Sequence, residues 1–203
     1  MRKFSPLPRT FYQPSAREVA PLLLGHWLVR RTERGVCGGP IVETEAYLKD
    51  DPACHSAPGF TVRNRVMFGP PGYAYVYLIY GYHFCVNAVC QPAGTAEAVL
   101  IRALEANIGL ELMQEHRPVS RTYHLTNGPA KLCQAMQIER ALDGADLCDD
   151  TAPLFIARNP AIAEFRNARG ALITTSRVGI TKAADWRLRF YLEGSRFVSK
   201  LER

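Results

Sequence analysis

Two carboxylates and a tyrosine recur at every second position of Ile41-Val42-Glu43-Thr44-Glu45-Ala46-Tyr47. Side chains of an extended strand alternate between faces, so Glu43, Glu45 and Tyr47 share one side and Val42, Thr44 and Ala46 the other. Such a face is either a solvated edge or the floor of a pocket in which an acid can move a proton. The lone Arg102 within the apolar run Ala98-Val99-Leu100-Ile101-Arg102-Ala103-Leu104 bears on that choice. An unpaired buried charge is too costly to keep. Arg102 therefore either meets a carboxylate from the acidic strand, with Glu45 as the candidate, or faces solvent from an edge.

The run from Tyr73 to Val89 is the most aromatic part of the chain and reads as two strands joined near Tyr80-Gly81. Alternation groups Tyr73, Tyr75 and Tyr77 on one face and leaves Tyr80 at the tip. This is either a core hairpin with hydroxyls at its edge or a platform for nucleobases, where one stacked aromatic contributes about 1 to 3 kcal/mol. Between the acidic strand and this hairpin lies a long polar connection, Leu48 to Pro71, and long loops in compact domains tend to be functional. It carries His55 and a basic Arg63-Asn64-Arg65 beside Met67-Phe68, the texture of a backbone-binding arm. A lone histidine such as His55 is more often structural or exposed than catalytic. Asn127-Gly128-Pro129 begins a helix with proline in its first turn, and with Lys131 it offers a place for a phosphate.

The elements that must hold these residues follow from local signals. Ser15-Ala16-Arg17-Glu18 has capping-box spacing and starts a helix shortened by Pro21 and stopped at Gly25. Trp27 to Arg31 reads as a strand, Gly35 to Pro40 as a turn, and Ile41 to Tyr47 as the hairpin partner. Asn107 to His116 and Asn127 to Met136 read as helices; Ala152 to Ala157, Ile173 to Thr181 and Arg187 to Leu192 read as strands. Strands outnumber helices without regular alternation. The expectation is one α+β domain over residues 1–203, with a mainly antiparallel β-sheet, flanking helices and a protruding tyrosine-rich hairpin.

With 25 Lys and Arg against 19 Asp and Glu, the net charge of +6 favours a polyanionic partner such as nucleic acid. The six cysteines form no C-x-x-C pair and no zinc-like spacing with histidine, so neither metal nor cofactor is expected and buried reduced thiols are the simplest account. No apolar run approaches a membrane span, and Met1-Arg2-Lys3 leads into Phe4-Ser5-Pro6 rather than a signal-peptide core. The expected protein is a cytoplasmic monomer, associated with the nucleoid if bacterial.

Taken together, the chain resembles the alkyladenine (3-methyladenine) DNA glycosylases of the mammalian type. The resemblance rests on Ile41 through Tyr47, Asp51-Pro52-Ala53-Cys54-His55, Arg63-Asn64 with Met67-Phe68, Gly72 through Tyr77 into Ile79-Tyr80-Gly81, Asn87, Leu100 through Glu105, Asn127-Gly128-Pro129 with Lys131-Leu132-Cys133-Gln134, and Arg177-Val178-Gly179, in the family's order. It implies a monofunctional glycosylase acting on double-stranded DNA that contains damaged purines: 3-methyladenine, other alkylpurines and hypoxanthine among them. In that scheme Glu45 activates water, positioned with help from Arg102 and the backbone carbonyl of Val178. Tyr47 and Tyr77 sandwich the flipped base, His55 contacts its edge, and Asn87 excludes the exocyclic amino group of guanine. Tyr80 enters the minor groove, and Arg63, Asn64, Lys131 and Arg177 are candidates for backbone contact. Glu43 receives no role beyond holding a basic neighbour. The chain departs from the family's pattern at Phe60-Thr61-Val62, where an Arg-Thr-Pro-like run is usual, and at Lys49-Asp50 and Tyr82.

Three other readings compete. A non-enzymatic nucleic-acid-binding module explains the charge and the aromatics but leaves Glu45 and Arg102 without a task. Glu43 and Glu45, about 6.5 to 7 Å apart along one strand face, have the spacing of inverting carbohydrate hydrolases, yet neighbours on one face cannot flank a substrate. A Schiff-base lyase needs a lysine of depressed pKa, and neither Lys49 nor Lys131 sits in an apolar run.

Overall fold

The helix expected after Ser15 forms as α1 (Ala16–Leu23) in the computed structural model, which describes residues 3–201. Both halves of the capping box are made, and the buried Glu97 carboxylate accepts from the Ala16 N–H at 2.8 Å. Ala16, Val19, Ala20 and Leu23 recur at helical spacing and are all fully buried. Pro21 lies inside the helix and withholds an N–H from the Arg17 carbonyl, the helix ends two residues later, and Gly25 turns the chain with φ +86°.

Among the described residues eight strands form one antiparallel sheet: β1 (Trp27–Thr32), β2 (Gly35–Tyr47), β3 (Ala74–Ile79), β4 (His83–Cys90), β5 (Glu97–Leu104), β6 (Leu154–Ala157), β7 (Leu172–Thr175) and β8 (Arg189–Leu192). The main path runs β3-β4-β5-β2-β1-β6, and β8 pairs with both β2 and β7. With α1 and three further helices, α2 (Leu110–His116), α3 (Pro129–Ala135) and α4 (Ile162–Ala168), the fold is α+β as expected.

The strand β2 organises the rest. Its first half pairs with β1, from Trp27↔Pro40 to Thr32↔Gly35; its second half leaves β1 and sits between β5 and β8, where Glu45 faces Leu100 on one side and Arg189 on the other. This corrects two expectations: Gly35 to Pro40 is strand rather than turn, and it is this segment, not Ile41 to Tyr47, that pairs with β1. The glycines serve close packing. A Cβ on Gly39 would lie 1.7 Å from the Glu105 carbonyl oxygen, and one on Gly38 would lie 2.2 Å from that of Leu28.

Other boundaries also shift. The helix expected from Asn107 starts only at Leu110, because Ile108 is held in an extended bridge to Gly38. The strand expected over Ile173 to Thr181 ends at Thr175, and the following residues leave the sheet as a loop. Helix α4 was not foreseen; it buries no residue fully, so its apolar signal is weak. Its Arg166 donates to the carbonyls of Leu22 and Leu24 at 2.9 Å each, satisfying the otherwise unpaired end of α1. All six cysteines are free thiols, five of them buried. Among the described residues, no helix is long and apolar enough to cross a membrane.

Alternation along β2 separates the core from the site. Thr44 points to α1, donating to the Ala20 carbonyl at 2.9 Å, while Ala46 joins the core cluster with Val19, Leu23, Ile101 and Leu104. The opposite face of β3, β4 and β5 presents Tyr75, Tyr77, Cys85 and Leu100 to Cys54 and Met67 of the long loop.

Near the start of β1, buried His26 accepts the Asn159 N–H at Nδ1 (3.2 Å). Burial, with the charges of Arg166 and Arg158, pushes it down to about 4. Between that value and the ordinary 6.5, the unfolded chain binds a proton that the folded one refuses, so stability falls as pH drops through this window and levels off below it. The loss is about 3 kcal/mol at most. Urea unfolding at pH 7 and pH 5 should show a larger drop for the wild type than for His26→Asn; equal drops would remove the histidine from the account.

Candidate active site

Glu45 is fully buried, yet each of its oxygens has a donor. Oε1 accepts the Val178 N–H at 2.8 Å and lies 3.2 Å from Arg102 Nη1; Oε2 accepts the Tyr47 hydroxyl at 3.0 Å. Arg102 is thus paired, as its burial requires. Desolvation pulls its pKa down, but the Glu45 and Glu43 carboxylates outweigh that and hold it above the ordinary value. Tyr47 is held well above the ordinary tyrosine value by burial and then by the Glu45 charge, so it remains a donor.

The three residues that hold Glu45 all open onto one cavity of about 330 Å³. Tyr47, His55, Tyr77, Asn87, Arg102 and Val178 all line it, so residues from β2, β3, β4, β5 and two loops converge on one space. The His55 and Tyr77 rings meet edge to face with centroids 4.4 Å apart, and His55 Nδ1 is 3.0 Å from the Tyr75 hydroxyl. Burial and nearby Arg63 lower the His55 pKa, so the ring is neutral at pH 7. Burial pushes Tyr75 up to about 12, and Tyr77 higher still. Asn87 donates to the Tyr75 carbonyl at 3.0 Å, which fixes its amide in the wall. The result is an aromatic slot whose wall includes Tyr47, Arg102 and Val178, the three residues that hold the buried Glu45 carboxylate.

Beside the slot, β3 and β4 turn at Tyr80-Gly81-Tyr82. Tyr80 and Gly81 have φ of 54° and 81°, and this turn leaves the Tyr80 ring 74% exposed while still lining the cavity mouth. A left-handed tyrosine costs about 1 to 2 kcal/mol. The surrounding strands enforce that conformation.

The family model described as Methylpurine-DNA glycosylase (MPG) matches residues 10–196. The chain belongs to the methylpurine-DNA glycosylase family. It is 51% identical over 194 residues to a protein of Methanoculleus marisnigri, covering 96% of this chain and 98% of that one. A Rhodopseudomonas palustris protein is 50% identical over 194 residues (96% and 88%), and one from Agrobacterium fabrum is 46% identical over 200 (98% and 95%). Each of the three bears the name "Putative 3-methyladenine DNA glycosylase". Membership makes this chain a DNA glycosylase, a hydrolase of N-glycosyl bonds acting on DNA.

Within the glycosylase, the residues expected on the DNA backbone divide. Arg63 is exposed, donates to the Leu78 carbonyl at 3.0 Å and stands 5.8 Å from the Tyr77 ring centre, at the rim of the slot. Lys131 is half-buried and donates to Asn127 Oδ1 at 2.9 Å. Arg177 and Asn64 are placed elsewhere than expected. Arg177 is buried, pairs with both oxygens of Asp51, donates to the Ala46 carbonyl and stacks 4.7 Å from the centre of the Tyr47 ring. It backs the slot rather than facing solvent, because Asp51 is itself fully buried and needs a cation. Asn64, 2% exposed, accepts from the Thr61 N–H and donates to the carbonyls of His55 and Gly59, stapling the loop that carries His55. Sequence reasoning missed Tyr75, Asp51, Arg189 and Ser199 as supports of the site. Alternation with Tyr77 could have flagged Tyr75, and an arginine within the apolar strand Arg187 to Leu192 could have flagged Arg189.

Proposed function

We propose that this glycosylase rotates 3-methyladenine and related alkylpurines out of duplex DNA and hydrolyses the N-glycosidic bond with a water activated by Glu45, leaving an abasic site and an uncut strand. One observation carries the reading: a fully buried carboxylate is held by Arg102, Tyr47 and the Val178 N–H, and all three of those residues line a slot of aromatic side chains. In the proposed reaction the flipped base stacks between Tyr47 and Tyr77, and His55 contacts its edge. Asn87 rejects guanine through its amino group. As the bond to C1′ breaks, its electron pair passes to the purine and the sugar gains oxocarbenium character, which the adjacent carboxylate stabilises. Water adds to C1′ while its proton passes to Glu45; the Val178 carbonyl helps to hold that water. Alkylation already makes 3-methyladenine a cationic leaving group. Hypoxanthine needs a proton, and the hydroxyls of Tyr47, Tyr75 and Tyr77 hold theirs more tightly than usual. Its excision is therefore the slower reaction.

The test is a duplex with a single 3-methyladenine analogue, incubated with the protein and resolved with and without hot alkali. Breaks confined to the alkali-treated sample are expected. Breaks without alkali favour lyase chemistry, and no breaks with retained binding favour a binding module.

In the same reading Tyr80 fills the space left by the extruded nucleotide, offsetting an unstacking cost of a few kcal/mol. Tyr80→Ala should weaken affinity for the lesion duplex by tenfold or more, while the saturated single-turnover rate falls less. Unchanged affinity by fluorescence anisotropy removes that role.

A further inference from the structure

Glu43 shares one face of β2 with Glu45 by alternation, and neither carboxylate lines the cavity itself. Glu43 is fully buried and collects four donors. Oε1 accepts from Arg189 Nε at 2.7 Å, Ser199 Oγ at 2.8 Å and Arg102 Nε at 2.9 Å; Oε2 accepts the Ser199 N–H at 2.7 Å. An isolated carboxylate there would be strongly destabilising, so so many donors on one acid show a built arrangement.

The three nitrogens of Arg102 have separate partners. Nε donates to Glu43, Nη2 to Ser199 Oγ at 3.2 Å, and Nη1 faces Glu45 at 3.2 Å. A guanidinium is a rigid plane, so holding Nε and Nη2 determines where Nη1 points. Ser199 lies on the segment after β8, whose place is secured by Arg189 donating to the Lys200 carbonyl and by buried Val198. Ser199 therefore joins the chain's last described residues to the arginine beside the reacting carboxylate.

We infer that Glu43 and Ser199 are positioning residues: together they clamp the Arg102 plane so that Nη1 stays on Glu45, and the segment after β8 is thereby part of the catalytic apparatus. This rests on the proposed role of Glu45. Neither residue touches substrate. Their effect passes through Arg102, and small misplacements of such a group are costly in rate.

The test compares wild type, Ser199→Ala, Ser199→Thr and Glu43→Gln. Expected for Ser199→Ala is a fall in single-turnover excision on the order of tenfold, below the loss seen when a reacting group is misplaced outright, with lesion-duplex affinity unchanged and the acidic limb of the pH–rate profile moved to higher pH. Ser199→Thr keeps the hydroxyl and restores the rate. Glu43→Gln loses the charge and falls further than Ser199→Ala. A second readout needs no activity: the Arg102 Nε–H resonance, seen by 15N NMR of the free protein, should exchange faster with solvent in Ser199→Ala than in wild type and Ser199→Thr. An unchanged rate in Ser199→Ala, or a slowed rate that Ser199→Thr does not restore, overturns the clamp. Should the wild type excise nothing, the proposed function fails, and the resonance alone decides the clamp: equal exchange in all variants overturns it.

Discussion

Replacing Arg102 with methionine is expected to lower unfolding stability by about 3 to 5 kcal/mol and to abolish excision. The size follows from what is left behind. Glu43 and Glu45 are both fully buried, and among the described residues Arg102 is the only cation paired with Glu45 and one of two paired with Glu43. Deleting one partner strands charge in a low-dielectric site, which costs far more than the intact pair contributes. Urea unfolding measures the first effect; a loss under about 1 kcal/mol, the value of a surface pair, would mean that the network does not hold the fold. Because the methionine variant is strongly destabilised, Arg102→Lys is the companion. It keeps the charge and is expected to fold, but one ammonium cannot serve Glu43, Ser199 and Glu45 in a single plane. Excision by the lysine variant should remain well below wild type even when the protein is fully folded.

Much of this site is readable from residue types because burial makes demands that few partners can meet. An arginine inside an apolar strand has to find a carboxylate, and the alternation of β2 puts two within reach, Glu45 at 3.2 Å and Glu43 at 2.9 Å. That Glu43 takes the shorter contact was not legible. It depends on register irregularities between Ile41 and Thr44 and on a segment 156 residues away in sequence. Tyr80 at a hairpin tip followed from Gly81 and the strand pattern on either side. Gly38 and Gly39 suggest a turn because sequence shows that a side chain is missing, not what occupies its place; here it is the backbone of Leu28 and of Glu105. Arg177 suggests a surface contact with DNA for the same kind of reason. Its partner Asp51 sits in a loop whose polar composition suggests solvent, whereas that loop folds inward and buries the acid. Local signals predict elements well, but they do not say which polar residues a loop carries inside.

The central claim is that Glu45 is the group that activates water, and Glu45→Gln isolates it. The amide can keep the site's hydrogen bonds: its oxygen can accept from the Val178 N–H and Arg102, and its NH2 can donate to the Tyr47 hydroxyl, which then turns to accept. The slot that receives the base is unchanged in shape. What is lost is the base, because an amide cannot take a proton from water and brings no negative charge to a developing oxocarbenium. The most direct measurement sets wild type and Glu45→Gln side by side on the same singly lesioned duplex, with affinity by anisotropy and single-turnover excision by alkali-revealed breaks. The prediction is equal lesion affinity and a rate lowered by about 10²- to 10⁴-fold. Excision by Glu45→Gln within a few-fold of wild type would contradict the account.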